Sequence, residues 1–408
     1  MNKILKLNIV IYTTIWCFII GITTAGYLNL VNWIIHFIWK TSGTLIPAEL
    51  LRPFFICIPF GVLIGYLNKY LGNYPLTIGE VLGEIHSNGR IQYQNWWKNM
   101  LLGLVALGGG GDIGPEASTT ALTTGMVNWL GDRIKVAARR TDLNLKEQCK
   151  TLWIRPLDQT VAQKGTFKEL FKSKRRYSIF ILYGILIAVL GLALFFKAFP
   201  QEGIFGIHHP QIIWQWQGIF TLVLAVLGGW IFGYFFIKCG QISKKLTTFQ
   251  NKFSILKGIL GGLILAFGSL ITRDILFSGE FQIVKFTHQA LMIAPLFLVI
   301  IAFLKAVVSN MGFFLGWRGG TIFPAIFASV AWGAVLVHIM PWMPQLMVTG
   351  VVTASLSVIL DRPIIIIAII AVMFPIQFLL IVIGICYFTI YLKKKYLQKK
   401  SCKLFYFI

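Results

Sequence analysis

The sequence predicts an all-α, polytopic membrane protein with helices that break inside the bilayer. Three observations carry that prediction. Apolar stretches long enough to cross a membrane recur from one end of the 408-residue chain to the other. Hydrophobic residues make up 57% and charged residues 12%, and the mean hydropathy is +0.75. That balance leaves too little charge to cover a soluble surface. The third observation is a short motif that occurs twice, about half a chain apart. Gly111-Asp112-Ile113-Gly114-Pro115 follows the run GGGG, and Gly320-Thr321-Ile322-Phe323-Pro324 follows Gly319. Both read G-x-I-x-P, and both precede small and apolar residues, as expected of an internal repeat.

The apolar segments run in order over 9–39, 51–71, 96–107, 113–130, 177–199, 213–237, 254–275, 287–315, 321–340, 345–360 and 363–392. The first is too long and too aromatic for a cleaved signal peptide and lacks a small-residue cleavage site, so it reads as a membrane helix. Several are shorter than a full span, and GGGGDIGPEAS lies where the segment at 96–107 ends and the one at 113–130 begins. Residues 132–176 hold no spanning run; they read as a basic loop, solvated or carrying short amphipathic helices near anionic headgroups. One transmembrane domain is expected over 1–408. It divides into a first half of about 1–199, a second of about 200–392 and a short basic tail at 393–408, with no soluble regulatory domain.

The net charge of +23 invites a nucleic-acid reading. Its position argues against one. The Lys/Arg excess lies between Arg133 and Arg176 and between Lys393 and Lys403, beside membrane segments, which is the pattern of cytoplasmic loops in a cell-membrane protein. The expected partners are therefore the lipid bilayer and a small anion, with no nucleic acid. Cys17, Cys57, Cys149, Cys239, Cys386 and Cys402 form no C-x-x-C pair, and His208-His209 lacks a metal-ligand spacing, so neither a disulfide framework nor a metal or other cofactor is expected.

The glycine breaks carry the chemistry. A helix that starts within the membrane presents unpaired N–H groups and the positive end of its dipole, and both favour an anion. Glycine lets the backbone approach an ion closely, and proline in the first turn gives up no needed donor. Starts at Ile113-Gly114 and Thr321-Ile322 would aim two donor clusters at one place and hold a dehydrated anion weakly enough for it to leave. The competing explanation is close helix packing through small residues. Asp112 and Glu116 are candidates for a gating or proton-carrying role, since an acid within the membrane is functional by default; first-turn acids also simply complement the dipole. Lys305 and Arg318 are further charges in apolar surroundings.

At these residues the chain resembles the CLC chloride channels and chloride/proton antiporters. Gly111 to Pro115 looks like a departure from their G-[KR]-E-G-P, and Gly320 to Pro324 is similar to their G-x-F-x-P. Pro75 to Val81 stands where their G-S-G-I-P-E is expected and keeps Ile78 and Glu80. FGSLITRDILFSGEF matches the position of their glycine-rich loop before the second ion-binding half. The resemblance implies a CLC-like fold of two halves in opposite orientation meeting at mid-membrane, and a homodimer with one ion pathway per subunit. It implies backbone contacts to chloride at Ile113, Gly114, Thr321 and Ile322, helix breaks made by Gly111, Pro115, Gly319, Gly320 and Pro324, and an ion-coordinating tyrosine at Tyr396 in a last short helix. Departures accompany the matches. Ile113 stands where the family has its gating glutamate, Leu76 where it has a serine, and the basic stretch 132–176 where it has a re-entrant hairpin.

The first functional expectation is a passive chloride pathway, uncoupled from protons because Ile113 cannot ionise. A second is a coupled exchanger using Asp112 or Glu116, for chloride or for fluoride or nitrate. A third is a non-conducting structural or regulatory relative. An intramembrane enzyme is not expected, because no G-x-S-x-G, H-E-x-x-H or paired helical aspartates occur.

Overall fold

The computed structural model describes residues 2–46, 48–140, 142–162, 166–200, 212–248 and 253–396. In chain order its helices are α1 (Lys3–Leu45), α2 (Arg52–Leu71), α3 (Ile78–Asn88), α4 (Trp96–Gly108), α5 (Glu116–Arg139), α6 (Leu145–Trp153), α7 (Gln159–Ala162), α8 (Lys174–Ala198), α9 (Gly218–Leu246), α10 (Ser254–Ile271), α11 (Ile283–Gln289), α12 (Pro295–Phe314), α13 (Ile322–Ile339), α14 (Pro344–Leu360), α15 (Pro363–Met373) and α16 (Leu379–Tyr396). Eight helices among the described residues are long and apolar enough to cross a membrane. Proline opens several of them at the first helical turn: Pro53 in α2, Pro295 in α12, Pro344 in α14 and Pro363 in α15.

The chain sorts into two compact units. The first comprises 1–33, 80–100 and 118–201; the second comprises 34–79, 101–117 and 202–408. These do not follow the sequence halves, because the first glycine break belongs to the second unit.

Within the first unit, Gly21 of α1 meets the backbone of α8: a Cβ there would collide with the Ala188 carbonyl oxygen. Thr14 Oγ1 and Tyr183 OH share a hydrogen bond of 2.6 Å across the same pair of helices. The described residues of the basic stretch 132–176 carry helices. Its first residues continue α5 to Arg139, and α6 buries Leu152 with Leu5, Ile9, Ile134 and Ala137. The ring of Trp153 packs edge-on against Tyr12 at 4.9 Å. Asp132 is paired with Lys135 at 2.8 Å and Arg90 at 3.5 Å, and Lys135 Nζ donates to the Ala162 carbonyl at 2.6 Å. Of the two alternatives for this stretch, the one with short helices fits, and α6 packs as a helical cap on α1 and α5. The packing was not legible because α6 is too short and polar to form an apolar run.

In the second unit, glycines again set the helix contacts. A Cβ at Gly61 of α2 would strike the Gly258 carbonyl oxygen of α10, and one at Gly229 of α9 would strike that of Val351 in α14. Helix α13 is the most enveloped of the spans, with 78% of its apolar window buried. Its Ala325, Ile326, Phe327 and Ala328 are fully enclosed. Two boundaries differ from the sequence reading. The single segment 363–392 is divided by Phe374-Pro375 into α15 and α16, since proline cannot continue a helix. Tyr396 ends α16 rather than lying in a separate short helix, and its side chain lies outside the described residues. Helix α3 was not among the predicted segments, because its 11 residues include two glutamates and a histidine.

Candidate anion-binding site

Both G-x-I-x-P motifs lie in the second unit, and the fold joins them. Gly114 N donates to Gly320 O at 2.7 Å, and Gly320 N donates to Gly114 O at 2.9 Å, an antiparallel bridge between residues 206 positions apart. Buried non-helical backbone must find its partners inside the protein, and here it does. The run before the first motif is held by Trp39 Nε1 on Gly108 O at 3.1 Å, Cys57 Sγ on Gly109 O at 3.3 Å and Phe277 N on Gly110 O at 3.2 Å. Gly110 has φ +86° and lies against the Trp39 ring, so the turn needs glycine twice over. Before the second motif, Gly316 has φ +99° and its carbonyl accepts from Asn68 Nδ2 at 2.9 Å. The buried Trp317 anchors this break by donating Nε1 to Gly258 O at 2.9 Å.

Helix α13 begins at Ile322 with Thr321 as its N-cap, and the threonine side chain makes no capping bond. The cap comes from across the site. Glu116 Oε1 accepts from Ile322 N at 2.9 Å and from Phe323 N at 3.3 Å. A carboxylate therefore occupies the dipole end and the N–H donors that suit an anion. Glycine at 114 and 320 makes room for it, because a Cβ at either would collide with the Glu116 carboxyl group. Glu116, at the start of α5, thus reaches the start of the other helix. Gly114 N–H, expected to face the ion, is used in the bridge. Pro115 immediately precedes α5, and Pro324 is the third residue of α13.

Ile113 is buried, and its Cδ1 packs on Gly319, where a Cβ would lie 2.5 Å away. It serves as a packing residue between the two breaks. Asp112 is buried as well, and Lys305 Nζ lies 3.0 Å from its Oδ1, both side chains essentially closed to solvent. Lys305 also donates to Asp274 O at 2.7 Å and Phe277 O at 2.9 Å, while Ser309 Oγ donates to Asp112 O at 3.1 Å. This resolves the acid at the family's basic position: the compensating positive charge comes from α12. Arg318 stacks over the Phe313 ring at 5.1 Å.

Glu280 belongs to this site and was not singled out from the sequence, although it lies in the quoted ILFSGEF. It is 8% exposed, and it follows Gly279, which has φ +83° and lies against Phe327. The only available signal was an acid inside an otherwise apolar, glycine-containing turn.

Fold and site define a multi-pass helical membrane protein in which two helix breaks are joined through Gly114 and Gly320 beside a buried carboxylate. Residues 167–394, more than half the chain, match the family described as voltage gated chloride channel, and the chain belongs to that family. No curated protein matches it in sequence. Solved structures of the same fold include a slow cyanobacterial Cl−/H+ antiporter, at 15% identity over 97% of this chain and 96% of that one, with a TM-score of 0.72. A CLC-type fluoride/proton antiporter is 16% identical over 97% and 98%, with a TM-score of 0.63. A eukaryotic CLC transporter is 12% identical over 98% of this chain and 74% of that one, also at 0.63. At these identities the likeness is one of fold, and it extends through the first glycine break.

Proposed function

We infer that the protein carries a small monovalent anion, chloride in the first instance, across a cell membrane in exchange for protons. The observation that carries this reading is the Glu116 carboxylate on the Ile322 and Phe323 amides. An anion and the Glu116 carboxylate compete for the same donors. Protonation weakens the hold of those amides on Glu116, because a neutral carboxyl group gains less from N–H donors and from the dipole. The side chain then leaves, and the anion takes its place. Return of Glu116 releases its proton and expels the anion. One titratable side chain thus links anion occupancy to proton binding, and Ile113 need not ionise. This supports the coupled reading ahead of the uncoupled one, and the antiporter activity named for two neighbours of the same fold agrees with it. The seat contributes backbone donors and a movable acid, which is transport machinery; no bond of a substrate need be made or broken.

The test is anion efflux and external pH recorded together from chloride-loaded vesicles containing the purified chain. The expected result is chloride efflux accompanied by proton uptake, faster as pH falls. Glu116→Gln is expected to keep chloride efflux and lose both proton movement and the pH response. Chloride efflux without protons in the unsubstituted protein would overturn coupling, and no flux of chloride, fluoride or nitrate would overturn transport.

A further inference from the structure

The basic stretch that leads into α8 holds its charges in a fixed place and leaves them unanswered. Between Phe167 and Tyr177 it carries Lys168, Lys172, Lys174, Arg175 and Arg176, all exposed. None of the five has an ion-pair partner among the described residues, because the acids of 132–176 are committed elsewhere. Asp132 pairs with Lys135 and Arg90, and Asp142 and Asp158 each hold Arg140 at 3.3 Å. Glu147 pairs with Lys150 and Arg155. Glu169 holds Arg139 at 2.7 Å and accepts from Thr166 within its own turn. Aromatic packing fixes the stretch: the Phe171 ring lies 5.6 Å from Tyr177, 5.2 Å from Phe180 and 5.4 Å from Phe167. These contacts keep Lys168 and Lys172 beside the start of α8.

The position of these charges is informative. Helix α9 carries Lys244 and Lys245, and α16 carries Lys393 to Lys395, in the last turn, where the helix dipole favours a cation. Helix α8 carries Lys174, Arg175 and Arg176 in its first turn, with no acid there, and the dipole opposes them. An anion from outside the chain relieves both that opposition and the mutual repulsion of the five cations. The side chains below the charges show which kind of anion fits. Among the described spans α8 is the least enclosed by protein, with 6% of its apolar window buried. Arg175, Ile179, Leu182 and Leu186 recur at helical spacing along one face, and each of the three aliphatic residues is more than half exposed. We propose that residues 168–176 and the face of α8 below Arg175 bind an anionic phospholipid. Its phosphate sits among Lys172, Arg175 and Arg176, and an acyl chain lies along Ile179, Leu182 and Leu186. A soluble phosphate would answer the cations and leave that stripe unused. The bound headgroup offsets the repulsion at the first turn of α8 and so tightens the packing of Phe171 on Tyr177 and Phe180.

The test uses the purified full chain in nonionic detergent. Its apparent unfolding temperature is followed as phosphatidylglycerol or phosphatidylcholine of equal chain length is added, and bound lipids are counted by native mass spectrometry. Phosphatidylglycerol is expected to bind and to raise the unfolding temperature, less so as salt is raised; phosphatidylcholine and inorganic phosphate are expected to do neither. Arg175→Gln/Arg176→Gln is expected to weaken phosphatidylglycerol binding by roughly 10-fold or more. Lys172→Gln/Lys174→Gln should act in the same direction, and it serves as the test if the arginine pair folds poorly. Lys244→Gln/Lys245→Gln makes the same charge change at the end of α9 and should leave the binding as it was. Equal binding of the two lipids, or an equal loss in the α9 pair, would overturn the proposal. Stabilisation by inorganic phosphate that matches phosphatidylglycerol would give the cations to a soluble anion and overturn the lipid surface. Two chains per micelle with no bound phosphatidylglycerol would give the face to a second copy and overturn it as well.

Discussion

Lys305 Nζ lies 3.0 Å from Asp112 Oδ1, with both side chains shut off from solvent. The pair ties the glycine-rich approach of the first helix break to α12. Two further bonds from Lys305 to Asp274 O and Phe277 O extend the tie to the loop that carries Glu280. Position 112 and position 305 are each anomalous when read alone in the sequence. Together they are a buried pair whose charges cancel beside the two joined helix breaks.

Breaking that pair from either side is expected to destabilise the protein by about 3–5 kcal/mol, because the remaining charge stays buried without its partner. Asp112→Asn and Lys305→Met should each lower the apparent unfolding temperature in detergent, and the double variant should recover part of the loss. Simple additivity of the two single effects would mean that the pair does not interact as the structure shows.

Gly320 and Glu116 form a second testable couple. A methyl group at position 320 would occupy the space of the Glu116 carboxyl. Gly320→Ala is expected to cost about 1–3 kcal/mol in the unsubstituted protein, in line with other overpacked sites, and much less in a Glu116→Ala background, where the space is free. The readout is again the apparent unfolding temperature across the four proteins of the cycle. Equal cost in both backgrounds would show that Glu116 does not occupy the seat.

The helical, membrane-spanning class was legible in the apolar runs, and the pairing of the two breaks was legible in the repeat of G-x-I-x-P. Both signals are local in sequence and strong in physics: length sets a span, and glycine with proline sets a helix start. What was illegible depended on partners far away in sequence. Nothing near Glu116 says that its carboxylate reaches the amides of residues 322 and 323, because that depends on the bridge between Gly114 and Gly320. Asp112 was a puzzle until Lys305 was placed beside it. Short helices within 132–176 were one of the two alternatives the sequence left open; their packing was illegible because it comes from single buried residues such as Leu152 rather than from a continuous apolar run.

That cap offers a prediction outside the membrane segments. Asn144 Oδ1 accepts from Glu147 N at 2.9 Å and caps α6. The Glu147 carboxyl is held below the usual glutamate range, first by the hydrogen bond from Lys150 and further by Arg155. Because its folded value is depressed, its contribution is fully present above the unfolded value of about 4.3 and is lost as pH falls through the lower folded value. Backbone hydrogen exchange over 145–153 should therefore stay protected from neutral pH down to the ordinary glutamate range and loosen below it. Asn144→Ala should weaken the same protection at all pH values, at a cost of about 0.5–2 kcal/mol. Loosening that begins near neutral pH would contradict the assignment to Glu147.

Ile113→Glu reintroduces an acid where the family carries its gating glutamate, and it separates two ideas of how this site works. If residue 113 alone decided coupling, the substitution would create a coupled transporter. The structure favours a different outcome. Ile113 is packed against Gly319 in a closed space, and the amides that an acid there could use are already bonded to Glu116. A new carboxyl group would be buried without a partner, so the expected result is a lower unfolding temperature, weaker chloride flux and no gain in proton movement per chloride. Ile113→Val, which removes a methyl group, should cost only about 0.5–1.5 kcal/mol and leave coupling intact. The double variant Ile113→Glu/Glu116→Gln frees the amides from a charged competitor, and it is the background in which an acid at 113 can reach them. Coupling lost in Glu116→Gln and regained in that double variant would show that the seat, rather than the sequence position of the acid, sets the exchange. Coupling gained by Ile113→Glu alone would return the gating role to position 113.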